Sequence, residues 1–321
     1  MLNEIPLNQI ENIRIGHAQD LEAATGCSVI ICEKGAPTGV DIRGGGPASR
    51  ETQLLNPLAT AEAIHAILLS GGSAFGLDAA GGVMQYLEER DIGFDVGITK
   101  VPLVCESCIF DLTVGSSKIR PNQAMGYAAC IAAEKNLNLQ GNVGAGTGAT
   151  VGKLYGPTTM MKSGLGTYAI QLGDLKVGAI VVVNALGDVI NSKTGKILAG
   201  LLNKEHTGFL NTEKEFYKPY SGTKDLFTGN TTIGAIITNA KFNKTQLNKI
   251  AGMAQNGYAR SICPVHTTAD GDSIYAMSVG DVEADLNVVG TLAARVMEEA
   301  ITKAVTSAQS AYGLKVAAYF T

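Results

Sequence analysis

The stretch Thr228-Gly229-Asn230-Thr231-Thr232-Ile233-Gly234-Ala235-Ile236-Ile237 marks an abrupt change, where a polar, charged segment stops and an apolar β-type run begins. One reading is plain: Gly-Asn marks a turn, and Thr-Thr-Ile suits the strand that follows it. A second reading starts from chemistry. If the Asn230–Thr231 peptide bond opened, Thr231 would become an N-terminus carrying a hydroxyl beside its own α-amine. Such an amine has an unperturbed pKa of about 7.7 to 8.0, so much of it is neutral near physiological pH and can accept the hydroxyl proton. A lysine, at about 10.4, needs burial to do the same. Gly229 permits the bent backbone that brings the Thr231 hydroxyl to the preceding carbonyl, and β-branching restricts the threonine χ1. These residues by themselves leave both readings open.

Upstream of the boundary, residues 203–229 are rich in turn formers and charges and read as a mobile connection ending at Asn230. Residues 167–190 contain a strongly β-branched, central strand that ends in the amide Asn184. Before it comes the richest glycine loop, Gly141 to Lys153. Leu154 follows Lys153, so the loop fails the Walker pattern, and no apolar strand precedes it as a dinucleotide fingerprint requires. Lys153 is then either a solvated loop lysine or a cation that supports an oxyanion among bare backbone N–H groups. Earlier still, Ala24–Glu33 reads as a buried strand with Gly39–Arg43 as its partner across a turn. Pro57–Ser70 has helical composition, with His65 packed on its apolar stretch.

Downstream, the spacing predicts a strand over 231–239, a helix over 243–263, a strand over 273–278 and a last helix over 281–307. Asp270-Gly271-Asp272 is a solvated turn unless the fold brings it to Thr231. Strands and helices alternate in blocks, which defines an α/β layered class.

Composition narrows the function. The 321 residues are 45% apolar, ample for a large core, and 39 of them are glycine, nearly twice the usual ~7%. Clustered glycine favours a site built from loops. With 29 acidic against 25 basic residues and no basic block interleaved with aromatics, nucleic acid is excluded as a partner. No uninterrupted apolar run approaches membrane-spanning length and no basic-then-apolar leader opens the chain, so the expectation is a cytoplasmic protein without a membrane partner. Cys105-x-x-Cys108 and Cys263-x-x-His266 could together supply four zinc ligands, but both lie in or beside strand-like runs where small buried thiols are common. The expectation is no metal and no cofactor.

Six motifs, in order along the chain, carry a resemblance. They are Gly44-Gly45-Gly46-Pro47 with Arg50-Glu51-Thr52, Gly71 to Asp78, Phe110-Asp111-Leu112, Gly141 to Lys153, Gly229 to Gly234, and Asp270-Gly271-Asp272. Together they resemble the DmpA-like peptidase family. Its members look like N-terminal-nucleophile hydrolases and include β-peptidyl and D/L aminopeptidases and endo-type nylon-oligomer hydrolases. The resemblance implies a four-layer αββα sandwich in a single domain, residues 1–321, that cuts itself between Asn230 and Thr231 into an α part, 1–230, and a β part, 231–321. It further implies a homotetramer of such αβ units acting on small or oligomeric linear amides: peptides, β-peptides or 6-aminohexanoate oligomers.

Carried over residue by residue, the resemblance implies Thr231 as nucleophile, Lys153 as supporting lysine, Asn184 as polar amide and Asp270 with Asp272 as the acid pair. It also implies substrate contacts at Phe110, where relatives carry tyrosine, and at Gly144 and Gly146. The aminopeptidase branch has a serine nucleophile and a Ser/Glu pair, so the Asp270/Asp272 pair is nearer the nylon-type branch. Glu106, in a segment that departs from relatives, is read as altering substrate preference. Two rivals remain: an acyltransferase of the ornithine acetyltransferase type, and an uncleaved small-molecule binding protein.

Overall fold

Two β-sheets stack face to face with a pair of long helices on each outer side, in a computed structural model that describes residues 2–218 and 229–320. The strands are β1 (Asn3–Ile5), β2 (Arg14–Asp20), β3 (Thr25–Ala36), β4 (Thr38–Ile42), β5 (Ala48–Arg50) and β6 (Ile64–Ser70). They continue with β7 (Val104–Cys108), β8 (Leu165–Leu172), β9 (Leu175–Asn184), β10 (Thr231–Ala240) and β11 (Ser273–Val282). One sheet has the order β1-β8-β9-β10-β11-β4 and the other β2-β3-β6-β7-β5. Helices α1 (Ala79–Glu88) and α2 (Gln123–Ala133) cover the five-stranded sheet, and α3 (Lys244–Ser261) and α4 (Leu286–Thr306) cover the six-stranded one. This is the four-layer αββα sandwich.

The central strands are buried on both faces, which is why they read as unbroken apolar runs instead of alternating ones. Period-two geometry still sorts their side chains. Ile233, Ala235 and Ile237 of β10 join Ile180 and Val182 of β9 in the core between the sheets, against Ile30, Ile67 and Leu69 of the opposite sheet. Ile236, with Val177, Ala179, Val181 and Val183, faces Tyr258, Val296, Met297 and Ala300 of the helices. The helices approach closely where the strand has no side chain. A Cβ at Gly16 would lie 2.1 Å from the Ala129 carbonyl oxygen, and one at Gly166 would lie 2.0 Å from that of Ala300. Helix α3 starts on a reciprocal capping box between Asn243 and Gln246, and α4 on Asp285, whose side chain accepts from Asn287 and Val288 N–H.

Two expectations fail for identifiable reasons. Residues 64–70 form β6, a strand and not a helix; all seven are buried, so no alternation shows, and Ala, Leu and Ile suit either element. Residues 39–43 do not return along β3. The chain changes sheets at Pro37, whose carbonyl accepts from Ser278 N–H at 3.0 Å, and β4 then pairs with β11. His65 is packed as expected, its Nδ1 accepting from Leu103 N–H at 3.2 Å. Cys105 and Cys108 lie three apart in β7, so their thiols face opposite sides of the sheet and cannot share one ion. In the connection read over 203–229, Thr212–Phe216 is a short helix, and residues 219–228 lie outside the described residues. No helix among the described residues is long and apolar enough to cross a membrane.

Candidate active site

The site follows from strand direction. Strand β9 runs antiparallel to β10, and β11 runs parallel to it. The end of β9, the start of β10 and the turn before β11 therefore meet at one end of the sheet. The register pairs Asn184 with Thr231, and a bridge pairs Asn230 with Asp270. Residues far apart in sequence thus become neighbours.

Asn184 is the hub on one side. Its Oδ1 accepts from Lys153 Nζ at 2.6 Å and from Thr150 N–H at 3.1 Å, its carbonyl accepts from Lys153 Nζ at 3.0 Å, and its Nδ2 donates to the Phe110 carbonyl at 3.0 Å. Lys153 is 4% exposed, so it is not a solvated loop lysine. Burial pushes its pKa down to about 7, against the pull of the Asp270 and Asp111 carboxylates.

The acid turn stands on the other side. Asp272 Oδ1 accepts from Thr232 N–H at 2.6 Å, and its Oδ2 accepts from His266 Nδ1 at 2.9 Å and His266 N–H at 3.2 Å. Asp270 Oδ2 accepts from Thr267 N–H at 2.8 Å and Thr267 Oγ1 at 2.5 Å. Both aspartates are buried, and burial together with the Asp272 charge pushes Asp270 up to about 6. The first glycine cluster clamps this turn: Arg43 N–H donates to the Asp272 carbonyl at 3.0 Å, and Gly46 N–H to that of Asp270 at 2.8 Å.

Between the two halves lies the Asn230–Thr231 peptide. The Thr231 hydroxyl donates to the Asn230 carbonyl in a close contact, and the same carbonyl accepts from Gly271 N–H at 2.9 Å. Gly229 has a left-handed φ of 60°, and a Cβ there would fall 2.2 Å from Phe110 Cγ, so no other residue fits. A Cβ on Gly271 would likewise stand 2.8 Å from Thr231 Oγ1.

The structure thus gathers Thr231, Asn230, Lys153, Asn184, Asp270, Asp272 and Phe110. Gly144 and Gly146 are a correction. Both are buried, and their N–H groups are already engaged, by Gln19 Oε1 at 3.0 Å and by the Val143 carbonyl at 2.8 Å, so neither offers a free donor to substrate. Glu106 is also buried, under α1 on β7, and burial raises its pKa to about 8. A cavity of about 670 Å³ lies beside Phe242 and Asp281, near the opposite end of the sheet, and is lined by none of these residues.

Three residues were given no part in the amide chemistry by the sequence. Asp111 accepts from Gly72 N–H and from Thr25 Oγ1, each at 2.7 Å, and contributes charge beside Lys153. His266 was considered only as a metal ligand. Lys162 is fully buried, and its Nζ donates to the carbonyls of Gly146, Ala149 and Ser163 at 2.9, 3.1 and 2.5 Å, tying the glycine loop from below. Burial pushes Lys162 down to about 7. An unfolded lysine keeps its proton to about 10.4, so between those values the unfolded chain binds more protons and stability rises with pH. Relative to Lys162→Met, the wild-type protein is expected to gain roughly 2 kcal/mol between pH 7 and 9, read from denaturant unfolding. Parallel curves would mean that Lys162 stays protonated in the folded state.

The sequence matches the peptidase family S58 model over residues 6–318. It is 35% identical to an uncharacterized aminopeptidase of Mycobacterium leprae, over 98% of this chain and 94% of that one. It is 31% identical to the 6-aminohexanoate-oligomer endohydrolase of Kocuria sp., over 91% of this chain and 83% of that one. The L-aminopeptidase D-Ala-esterase/amidase of Ochrobactrum anthropi, a variant of the N-terminal-nucleophile hydrolase fold, superposes with a TM-score of 0.71 at 15% identity, over 95% of this chain and 86% of that one. That likeness establishes a shared fold. With a family match along nearly its whole length and relatives named as peptidases and amide hydrolases, the chain belongs to peptidase family S58 and is an amidohydrolase.

Proposed function

We propose that this amidohydrolase cuts its own Asn230–Thr231 bond and then uses the freed Thr231 as an N-terminal nucleophile on linear amides. One observation carries the reading: the Thr231 hydroxyl lies on the Asn230 carbonyl, whose oxygen is also held by Gly271 N–H at 2.9 Å. Nucleophile, electrophile and oxyanion donor are together in the intact chain.

In processing, Thr231 Oγ attacks the Asn230 carbonyl carbon and gives up its proton to a base. Lys153, held near neutrality by burial, suits that role. The developing oxyanion is met by Gly271 N–H, a kind of contact commonly worth ~3 to 4 kcal/mol. The C–N bond breaks, the proton passes to the departing nitrogen, and an ester links Asn230 to Oγ. Water then hydrolyses the ester, leaving a carboxylate on Asn230 and an amine on Thr231.

In turnover the free amine takes the hydroxyl proton as Oγ attacks a substrate amide, and returns it to the leaving amine. An acyl-enzyme ester forms and water removes it. In this reading Asp270 and Asp272 orient the new ammonium, supported by the contact of Thr232 N–H with Asp272 and by the charge of Asp270 felt at Lys153, which Asn184 holds. The relatives' printed names, aminopeptidase and 6-aminohexanoate-oligomer endohydrolase, support linear amides as the substrate class, and the acid pair favours the second kind. Intact-mass measurement on purified protein tests the proposal, followed by turnover of short α-peptide, β-peptide and 6-aminohexanoate amides. Two chains divided after Asn230 are expected. Material that stays full length on prolonged incubation and is inert to every amide overturns it.

A further inference from the structure

His266 touches the acid pair directly, yet the chemistry above gives it no part. It holds a left-handed φ of 59°, which turns both its backbone N–H and its ring toward Asp272. Nδ1 lies 2.9 Å from Asp272 Oδ2, and the ring stacks on Tyr258 of α3, centroids 6.0 Å apart and planes inclined by 27°. Nε2 is buried and has no hydrogen-bond partner among the described residues. A carboxylate only accepts, so Nδ1 carries the proton in this contact and the ring's orientation is fixed by it.

We propose that His266 is a positioning residue that fixes the Asp272 carboxylate of the acid pair in the orientation that holds the Thr232 N–H, the amide next to the proposed nucleophile. Asp272 then receives three N–H donors, from Thr232, His266 backbone and His266 ring, and through the first of these it anchors the start of β10. Asp270 receives its donors from Thr267 and from the Leu186 backbone but none from a titratable ring. The groups facing the pair are Lys153, with Asp111 behind it, on the Asp270 side, and His266 and Tyr258 on the Asp272 side. The inference rests on the reading in which the pair serves Thr231.

His266→Phe keeps a ring over Tyr258 and removes the donor. His266→Asn restores an N–H donor on a residue that tolerates the left-handed backbone. On a short amide, His266→Phe is expected to lose about tenfold in kcat with KM changed by less than about twofold, and His266→Asn to recover part of that loss. Without the donor the Asp272 carboxylate is free to turn, so the start of β10 that carries Thr231 is held less precisely. A second readout needs no turnover. Long-range proton–nitrogen NMR of the full chain, with His266 identified among the four histidines by its absence in His266→Phe, is expected to show a protonated Nδ1 at pH 7. An unprotonated Nδ1, or a kcat in His266→Phe equal to that of the wild type, overturns the inference. A wild-type protein that neither cleaves itself nor turns over any amide overturns the Thr231 reading instead, and Nδ1 protonation then decides the role of His266 alone.

Discussion

Thr231→Ala is expected to run as one full-length chain on a denaturing gel and to lose at least about a thousandfold in amide turnover. The change removes the hydroxyl that donates to the Asn230 carbonyl, the carbonyl of the peptide bond proposed to break, and with it one methyl group. Ladder pairing of β10 with β9 and β11 uses backbone groups, so the strand and the core behind it stay intact. The thermal midpoint should therefore move little, which separates loss of chemistry from loss of fold. Thr231→Ser sharpens the test. It keeps the hydroxyl but frees χ1, which β-branching restricts in threonine. Processing should slow by about tenfold and still go to completion. Two fragments from Thr231→Ala, or turnover within tenfold of wild type, would sink the assignment of Thr231 as nucleophile.

The apolar runs of β9 and β10 announce themselves in the sequence because burial on both faces leaves no polar residue to interrupt them. The same property hid β6, where a fully buried Ile-His-Ala-Ile-Leu-Leu-Ser segment has no period to distinguish strand from helix. At the site, the residue types were legible and their partners were not. Lys153 and Asn184 are 31 residues apart, and Thr232 and Asp272 are 40 apart. Backbone bonds from Gly152 and Lys153 N–H to the Gly187 and Leu186 carbonyls bring the first two together, and the parallel β10–β11 pairing brings the second two. The glycine loop shows the opposite error. Its bare N–H groups suggested free oxyanion donors, yet those of Gly144 and Gly146 are consumed inside the fold, while Gly271, read only as a spacer between two acids, holds the Asn230 carbonyl. Lys162 had no signal at all, since a lone lysine in a short segment reads as solvated until three carbonyls converge on it.

The step that opens the chain has no free α-amine to serve it, so its base must come from elsewhere, and this makes Lys153 the second decisive position. Lys153→Met is expected to slow self-cleavage at least about a hundredfold. In the wild-type precursor, made by cell-free translation in buffers of fixed pH and followed on gels, the cleavage rate should rise with pH around a midpoint near 7. The sign follows from the group: a lysine is a base only when neutral, and the neutral fraction falls about tenfold per pH unit below its pKa. Lys153→Arg distinguishes a base from a mere positive charge. A guanidinium can keep the hydrogen bonds to the Asn184 side chain and carbonyl that Lys153 makes at 2.6 and 3.0 Å, but it does not give up its proton in this range. If Lys153→Arg processes at the wild-type rate, positive charge suffices and the base lies elsewhere. If it stalls like Lys153→Met, proton transfer is what Lys153 contributes. Burial, which lowers its pKa from about 10.5 to about 7, is then what makes a lysine able to start the reaction.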